Sequence, residues 1–250
     1  MGRRPDARGL RWYKPVMAVC PLCRSRKGKR SCPALRTTIC SVCCGEKRLV
    51  EISCPSDCVY LEQGTRNDMS REASDYLRHQ EPQKALRWLR AVEGLGFLLE
   101  AIERAIASST IRTLSDEDLL VALTSARKTF ESEAKGVIYE DLPTAPSLQL
   151  VTRGIVGAIR AFAKQYEGVR EQAGPQAAAM LPAWGAAEAA HCLAVVAERC
   201  EFHIQRAVPP GAAGTARASD AAGSYVAYLR RVYPPGAQEA ASDAPRIILT

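Results

Sequence analysis

The sequence predicts a small, irregular cysteine-rich module with short β-hairpins, followed by an all-α helical bundle. Three observations carry this. Eight of the ten cysteines fall in the stretch Cys20–Cys58. That stretch is too short to bury an apolar core of its own, so it needs another kind of cross-link. From about residue 66 onward, apolar residues recur at steps of three and four, the period of an amphipathic helix.

Taken in order, residues 1–18 read as a basic, flexible arm that includes Trp12 and Tyr13. Residues 19–62 are the cysteine module, and 66–206 the helical domain. Pro82 suits a first helical turn, and Leu86, Leu89, Val92, Leu95, Leu99, Ile102 and Ile106 form one apolar stripe on a helix over 82–108. Ser115-Asp-Glu-Asp118 is a capping-box-like start with Asp in place of Glu or Gln, leading into Leu119, Leu123 and Phe130. Gly136 and two prolines break the helices across GVIYEDLPTAP. A further helix is expected over 147–167, and an Ala-rich one over 176–206 with Pro182 as its kink or start. Residues 207–219 are a linker by composition, 220–232 a short helix and 233–250 a flexible tail.

The cysteine spacing points to metal. Cys20-Pro-Leu-Cys23 and Cys40-Ser-Val-Cys43 are Cys-x-x-Cys pairs, short enough for both sulfurs to reach one ion across a tight turn. Cys54-Pro-Ser-Asp-Cys58 is the slightly longer version, and Cys32 and Cys44 complete eight ligands. Eight thiolates make two closed four-sulfur sites, so two Zn²⁺ per chain are expected; iron–sulfur spacing does not match. Two schemes stay open: sequential, with Cys20, Cys23 and two middle thiols on one ion, or interleaved. Adjacent Cys43 and Cys44 point in different directions and suit different ions. Closed sites leave no position for a substrate, which favours a stapling role over metal catalysis.

Cys32-Pro33 followed by Ile39-Cys40-Ser41-x-x-Cys44 resembles the middle of HIT-type zinc fingers, relatives of the MYND fingers. That resemblance implies two interleaved zincs and a protein-interaction module. The chain departs from the pattern at Leu35, where a cysteine is expected, and in offering Cys43 and Cys54–Cys58 in place of a late His-Cys pair. The whole run, with CCGEKR and CPSDCxYL, is similar to uncharacterised bacterial proteins that carry an N-terminal eight-cysteine zinc module before a helical region. For those the likeness extends to the helical body through Tyr139-Glu140-Asp141, and it implies a zinc module with no known activity.

Charge is concentrated in the module. Residues 1–58 hold thirteen Arg and Lys against four carboxylates, +9, which leaves −2 for the rest of a +7 chain. Two four-thiolate zinc sites would bring the module to about +5, so part of the basic excess offsets thiolate charge. Arg24, Arg26, Lys27, Lys29 and Arg30 crowd one loop and could grip phosphates, while Trp12 and Tyr13 could stack on unpaired bases. No recognition-helix or RNA-binding motif accompanies them.

Signatures of catalysis are absent. There is no phosphate-binding Gly-rich loop and no Gly-x-Ser-x-Gly. Glu188-Ala-Ala-His191 has di-iron spacing without a second copy, and reads as a helix-surface pair. Cys192 and His203 share a face but sit about 16 Å apart along a helix, so Cys192 and Cys200 read as small buried hydrophobes. No apolar run is long enough to span a membrane. The N-terminal stretch, broken by Lys14 and Pro15, does not read as a cleavable signal, so the expected location is the cytoplasm, where clustered thiols bind metal rather than pair. The expectation is a non-enzymatic zinc-binding adaptor or regulator that engages another macromolecule, protein first. A nucleic-acid-binding regulator using the arm and the 24–30 loop is the alternative, and an enzyme with a site on the helical domain the third class.

Overall fold

The structure, a computed structural model, describes residues 19–173, 175–176, 184–206 and 223–234. The expected arm with Trp12 and Tyr13, Pro182, the 207–219 linker and the tail past Pro234 lie outside the described residues. The chain divides into two compact units, Met1–Glu62 and Gln63–Thr250, each taken by itself below.

In the first unit an isolated antiparallel bridge joins Val19 to Lys27, closing the turn that holds Cys20 and Cys23. A short hairpin follows. Strand β1, Arg30–Cys32, pairs with β2, Thr37–Ile39, in the register Arg30↔Ile39, Ser31↔Thr38 and Cys32↔Thr37. Pro33 and left-handed Arg36 (φ 50°) turn the chain between them. Helix α1, Ser41–Glu46, starts directly from Cys40. The buried cluster of this unit is Cys20, Cys32, Ile39, Cys40, Cys43, Cys44 and Ile52. Five of those seven residues are thiols, which is why aliphatic burial alone cannot hold the unit together.

Helical structure begins earlier than the periodicity predicts. Helix α2 is Val59–His79, because the Pro55–Cys58 turn feeds it directly: the amides of Leu61 and Glu62 donate to the Cys58 carbonyl at 2.8 and 3.1 Å. In the second unit α3 is Pro82–Ala107, α4 Asp116–Glu133, α5 Pro146–Gln172, α6 Ala186–Arg206 and α7 Tyr225–Val232. Helices α3 and α4 each pack against both α5 and α6, which makes a four-helix bundle, and α7 lies across α3, α4 and α6. Fully buried Leu98, Ile102, Leu123, Ile155, Leu193 and Leu229 come from all five helices and form one core. No described helix is long and apolar enough to cross a membrane.

The α3 stripe needs correction in its first half. Leu86, Leu89 and Val92 are exposed, and Trp88 and Ala91 face the core instead. Past Leu95 the expected positions Leu99, Ile102 and Ile106 are buried. Leu95 itself has non-helical backbone (φ −132°, ψ 22°), so the helix kinks there. The aromatic ring decides the rotation: Trp88 packs against Tyr76, centroids 5.7 Å apart, beneath the Arg199 guanidinium.

At the start of α4 the Ser115 hydroxyl accepts from the Asp118 amide at 3.1 Å, as the capping pattern predicts. Gly136, left-handed at φ 79°, ends that helical stretch with its amide donating to the Glu133 carbonyl.

Candidate metal centre

Four of the eight thiols are gathered into one place. The sulfurs of Cys20, Cys23, Cys40 and Cys43 all lie within 4.8 Å of one another. Their elements explain it. The Arg24 amide donates to the Cys20 carbonyl and the Cys20 amide to the Arg26 carbonyl, both at 2.8 Å, so the first Cys-x-x-Cys folds into a closed turn. That turn puts Arg24 in the left-handed region at φ 52°. The second pair brackets the start of α1, where the Cys43 amide donates to Cys40 Sγ at 3.4 Å. An amide aimed at a sulfur orients it.

The spacing fits a tetrahedral ion. Bonds of about 2.3 Å to zinc place sulfur ligands about 3.8 Å apart. Cys23 Sγ and Cys40 Sγ are 3.9 Å apart, far beyond a disulfide bond, and all ten cysteines are free thiols. Proton affinities in the cluster diverge. The Ser25 side chain and the amides of Ser25 and Arg26 bring the Cys23 thiol down to about 5. Burial pushes Cys20 up, but the backbone amides of Cys40, Cys23 and Leu22 outweigh it and leave its pKa lowered. Burial, then the neighbouring Cys40, Cys23 and Cys20 sulfurs, pushes Cys43 up to about 12. Crowding of the sulfurs thus opposes deprotonation of Cys43, and a cation bound among them would offset that cost.

The other four thiols lie in a second neighbourhood. Cys54 is pushed up by burial, against the Leu49 amide, and further by Cys58, Cys32 and Cys44. Their sulfurs are not drawn as close as the first set; among the described residues no second group of three or more ligand-type atoms meets the same 4.8 Å. Along the chain the gathered set takes 20, 23, 40 and 43, with Cys32 between its two pairs and Cys44, Cys54 and Cys58 after it.

Of the five cations singled out beside the thiols, Arg24, Arg26, Lys27 and Lys29 are exposed, and none makes an ion pair among the described residues. Arg30 is different. It belongs to β1, is half-buried, and lays its guanidinium 5.1 Å from the Tyr60 ring centre. Apolar side chains are exposed in the same unit, including Val50 at 82%, Val19 and Val59.

The helical unit holds a polar cluster that the sequence reading missed. Arg199, 7% exposed, meets Glu72 of α2 through Nη2–Oε2 at 2.5 Å and Nε–Oε1 at 3.3 Å, and Glu103 of α3 through Nη1. The hydroxyls of Tyr225 and Tyr233 donate to Glu103 at 2.9 and 3.1 Å. His203 Nδ1 bonds the Gly223 carbonyl at 3.0 Å, and its Nε2 faces Glu72 at 3.6 Å. Nearby, Asp116 caps α7 by accepting from the amides of Tyr225 and Val226 at 2.7 and 3.0 Å and from the Ser224 hydroxyl at 2.8 Å. A signal existed: Arg199 stands seven residues after Cys192 on the same apolar stripe, and Glu103 four after Leu99. The remaining candidates are plain. Glu188 accepts from the Gly185 amide at 2.7 Å, His191 is exposed, and burial pushes the Cys192 thiol up to about 12. A groove of about 510 Å³ between α3 and α5 has Arg104, Ser108, Ser109, Thr110 and Gln165 as its polar lining, with no carboxylate, imidazole or thiol.

The chain matches no protein-family model, no curated protein and no solved structure compared with it.

Proposed function

We propose that this protein is a zinc-stapled adaptor: two Zn²⁺ ions hold the N-terminal module, which presents a small surface to a macromolecular partner, most naturally another protein. The carrying observation is the set of four sulfurs from Cys20, Cys23, Cys40 and Cys43 within 4.8 Å of one another. A thiol-only tetrahedron is the donor set zinc prefers, and a closed one leaves no coordination position for catalysis. The second ion falls to Cys32, Cys44, Cys54 and Cys58, whose mutual influence on the Cys54 thiol supports the grouping. This assignment interleaves the two sites, so each ion ties together segments distant in sequence. Exposed Val19, Val50 and Val59 in the same unit offer apolar area that a protein partner could cover.

A nucleic-acid reading has its own support in the exposed Arg24, Arg26, Lys27 and Lys29, which make no ion pair among the described residues. One comparison separates the two. Changing these four and Arg30 together to Ala leaves partner capture intact for the adaptor. For a nucleic-acid binder it abolishes retention on heparin or mixed RNA and DNA, and wild-type retention weakens steeply with salt. Elemental analysis of the purified chain is expected to give two zincs; one or none overturns the full assignment. Chelation or Cys20→Ser is expected to expose the module to protease while far-ultraviolet circular dichroism keeps most of its helical signal.

A further inference from the structure

The first half of α3 carries an apolar face that nothing in the described structure covers. Leu86, Leu89 and Val92 are 47%, 45% and 45% exposed, and Phe97, just past the kink, is 59% exposed. Scattered exposed aliphatics are ordinary, but four within three turns of one helix form a patch.

The charges set among these residues differ from those on the rest of the helix. Every other charged residue of α3 is paired: Lys84 with Glu201, Arg87 with Glu198, Glu100 with Arg104, and Glu103 with Arg199. Arg90 and Glu93, both exposed, make no ion pair among the described residues. Their positions are self-complementary. A two-fold axis passing between Ala91 and Val92 sets an antiparallel second α3 so that Arg90 lies level with Glu93 of the other copy. All four of these charges lie on the uninterrupted stretch before the kink at Leu95, and the pair occurs twice.

We infer that this face of α3 is the contact surface for a second copy of the same chain, an antiparallel α3–α3 pairing with Arg90–Glu93 ion pairs across it. The inference stands apart from the metal reading, since all its residues lie in the helical unit. Opposite charges brought level fix register and orientation, while the four apolar side chains supply the attraction. The patch is small against the roughly 800 Å² per partner of a standard interface, so association is weak and concentration-dependent.

Sedimentation of the full-length, zinc-replete chain tests this from about 1 to 500 µM, the span within which a small interface associates. The wild type is expected to move from monomer to dimer across that range, and Leu89→Lys to remain monomeric with unchanged circular dichroism. Arg90→Glu and Glu93→Arg, each alone, place like charges level and are expected to weaken self-association about tenfold or more. Mixed in equal amounts they restore it, because each copy then meets the opposite charge at both positions. A wild type monomeric throughout the range overturns the inference, as does dimerisation insensitive to Leu89→Lys. Failure of the mixture to recover association overturns the register.

Discussion

Replacing Arg199 with Met removes the guanidinium from a buried cluster that holds two carboxylates. Arg199, Glu72 and Glu103 are each less than a tenth exposed, and the guanidinium bonds both acids. Removing one partner of such a group leaves uncompensated buried charge, which costs about 3–5 kcal/mol. A domain of this size is stable by about 5–15 kcal/mol in total, so Arg199→Met should lower its Tm by about 10 °C. The pH dependence identifies the cause. In the wild type burial pushes the Glu72 carboxyl up, but the Arg199 charge and the His203 imidazole beside it outweigh burial and hold its pKa below the ordinary value. A depressed folded pKa gives stability that is present above the unfolded value of about 4.3 and lost as pH falls through the folded one. Without Arg199 burial dominates and the folded pKa rises above the unfolded one. The sign then reverses, so the variant regains stability as pH falls from about 7.5 toward 5. Guanidinium melts followed by circular dichroism at both pH values, with metal fixed and the wild type beside it, measure the difference. Adding Glu72→Gln and Glu103→Gln to Arg199→Met should recover much of the loss. A deficit under about 1 kcal/mol, or one equal at both pH values, would refute the reasoning.

Two further outcomes follow from single contacts. Asp116→Ala leaves the Tyr225 and Val226 amides without their buried acceptor; it should cost about 2–3 kcal/mol and speed limited proteolysis near α7, read by mass spectrometry of the fragments. Gly136→Ala forces a Cβ into a left-handed conformation and should cost about 1 kcal/mol by chemical denaturation, although nothing lies within 4 Å of the added atom.

The legible parts of this protein are those written in local spacing. Cys20/Cys23 and Cys40/Cys43 announce a candidate metal site because two residues of spacer already bring two sulfurs within reach of one ion. Ser115 caps α4 through a bond three residues long, and Pro82 and Gly136 mark helix ends through their own backbone preferences. The onset of α2 at Val59 escaped notice because polar residues dilute its periodicity, and only the Cys58 turn fixes where it begins.

By itself, then, the sequence determined the thiol-rich stretch, the helical body and those helix ends read from a local Pro, cap or Gly signal, since each depends on residues within a turn or two of one another. Helix α5 runs on to Gln172, α6 starts at Ala186 and α7 at Tyr225, away from the bounds expected for them. Tertiary structure alone decided which thiols meet. Spacing allows Cys32 and Cys44 to serve either group, and the hairpin register together with the start of α1 at Cys40 places Cys20, Cys23, Cys40 and Cys43 together. It also decided that Trp88 rather than Leu86 and Leu89 faces the core, because two apolar stripes one residue apart differ only in what waits across the interface. The Glu72–Arg199–Glu103 cluster was equally out of reach, as its members are brought together from three helices by packing and not by proximity along the chain.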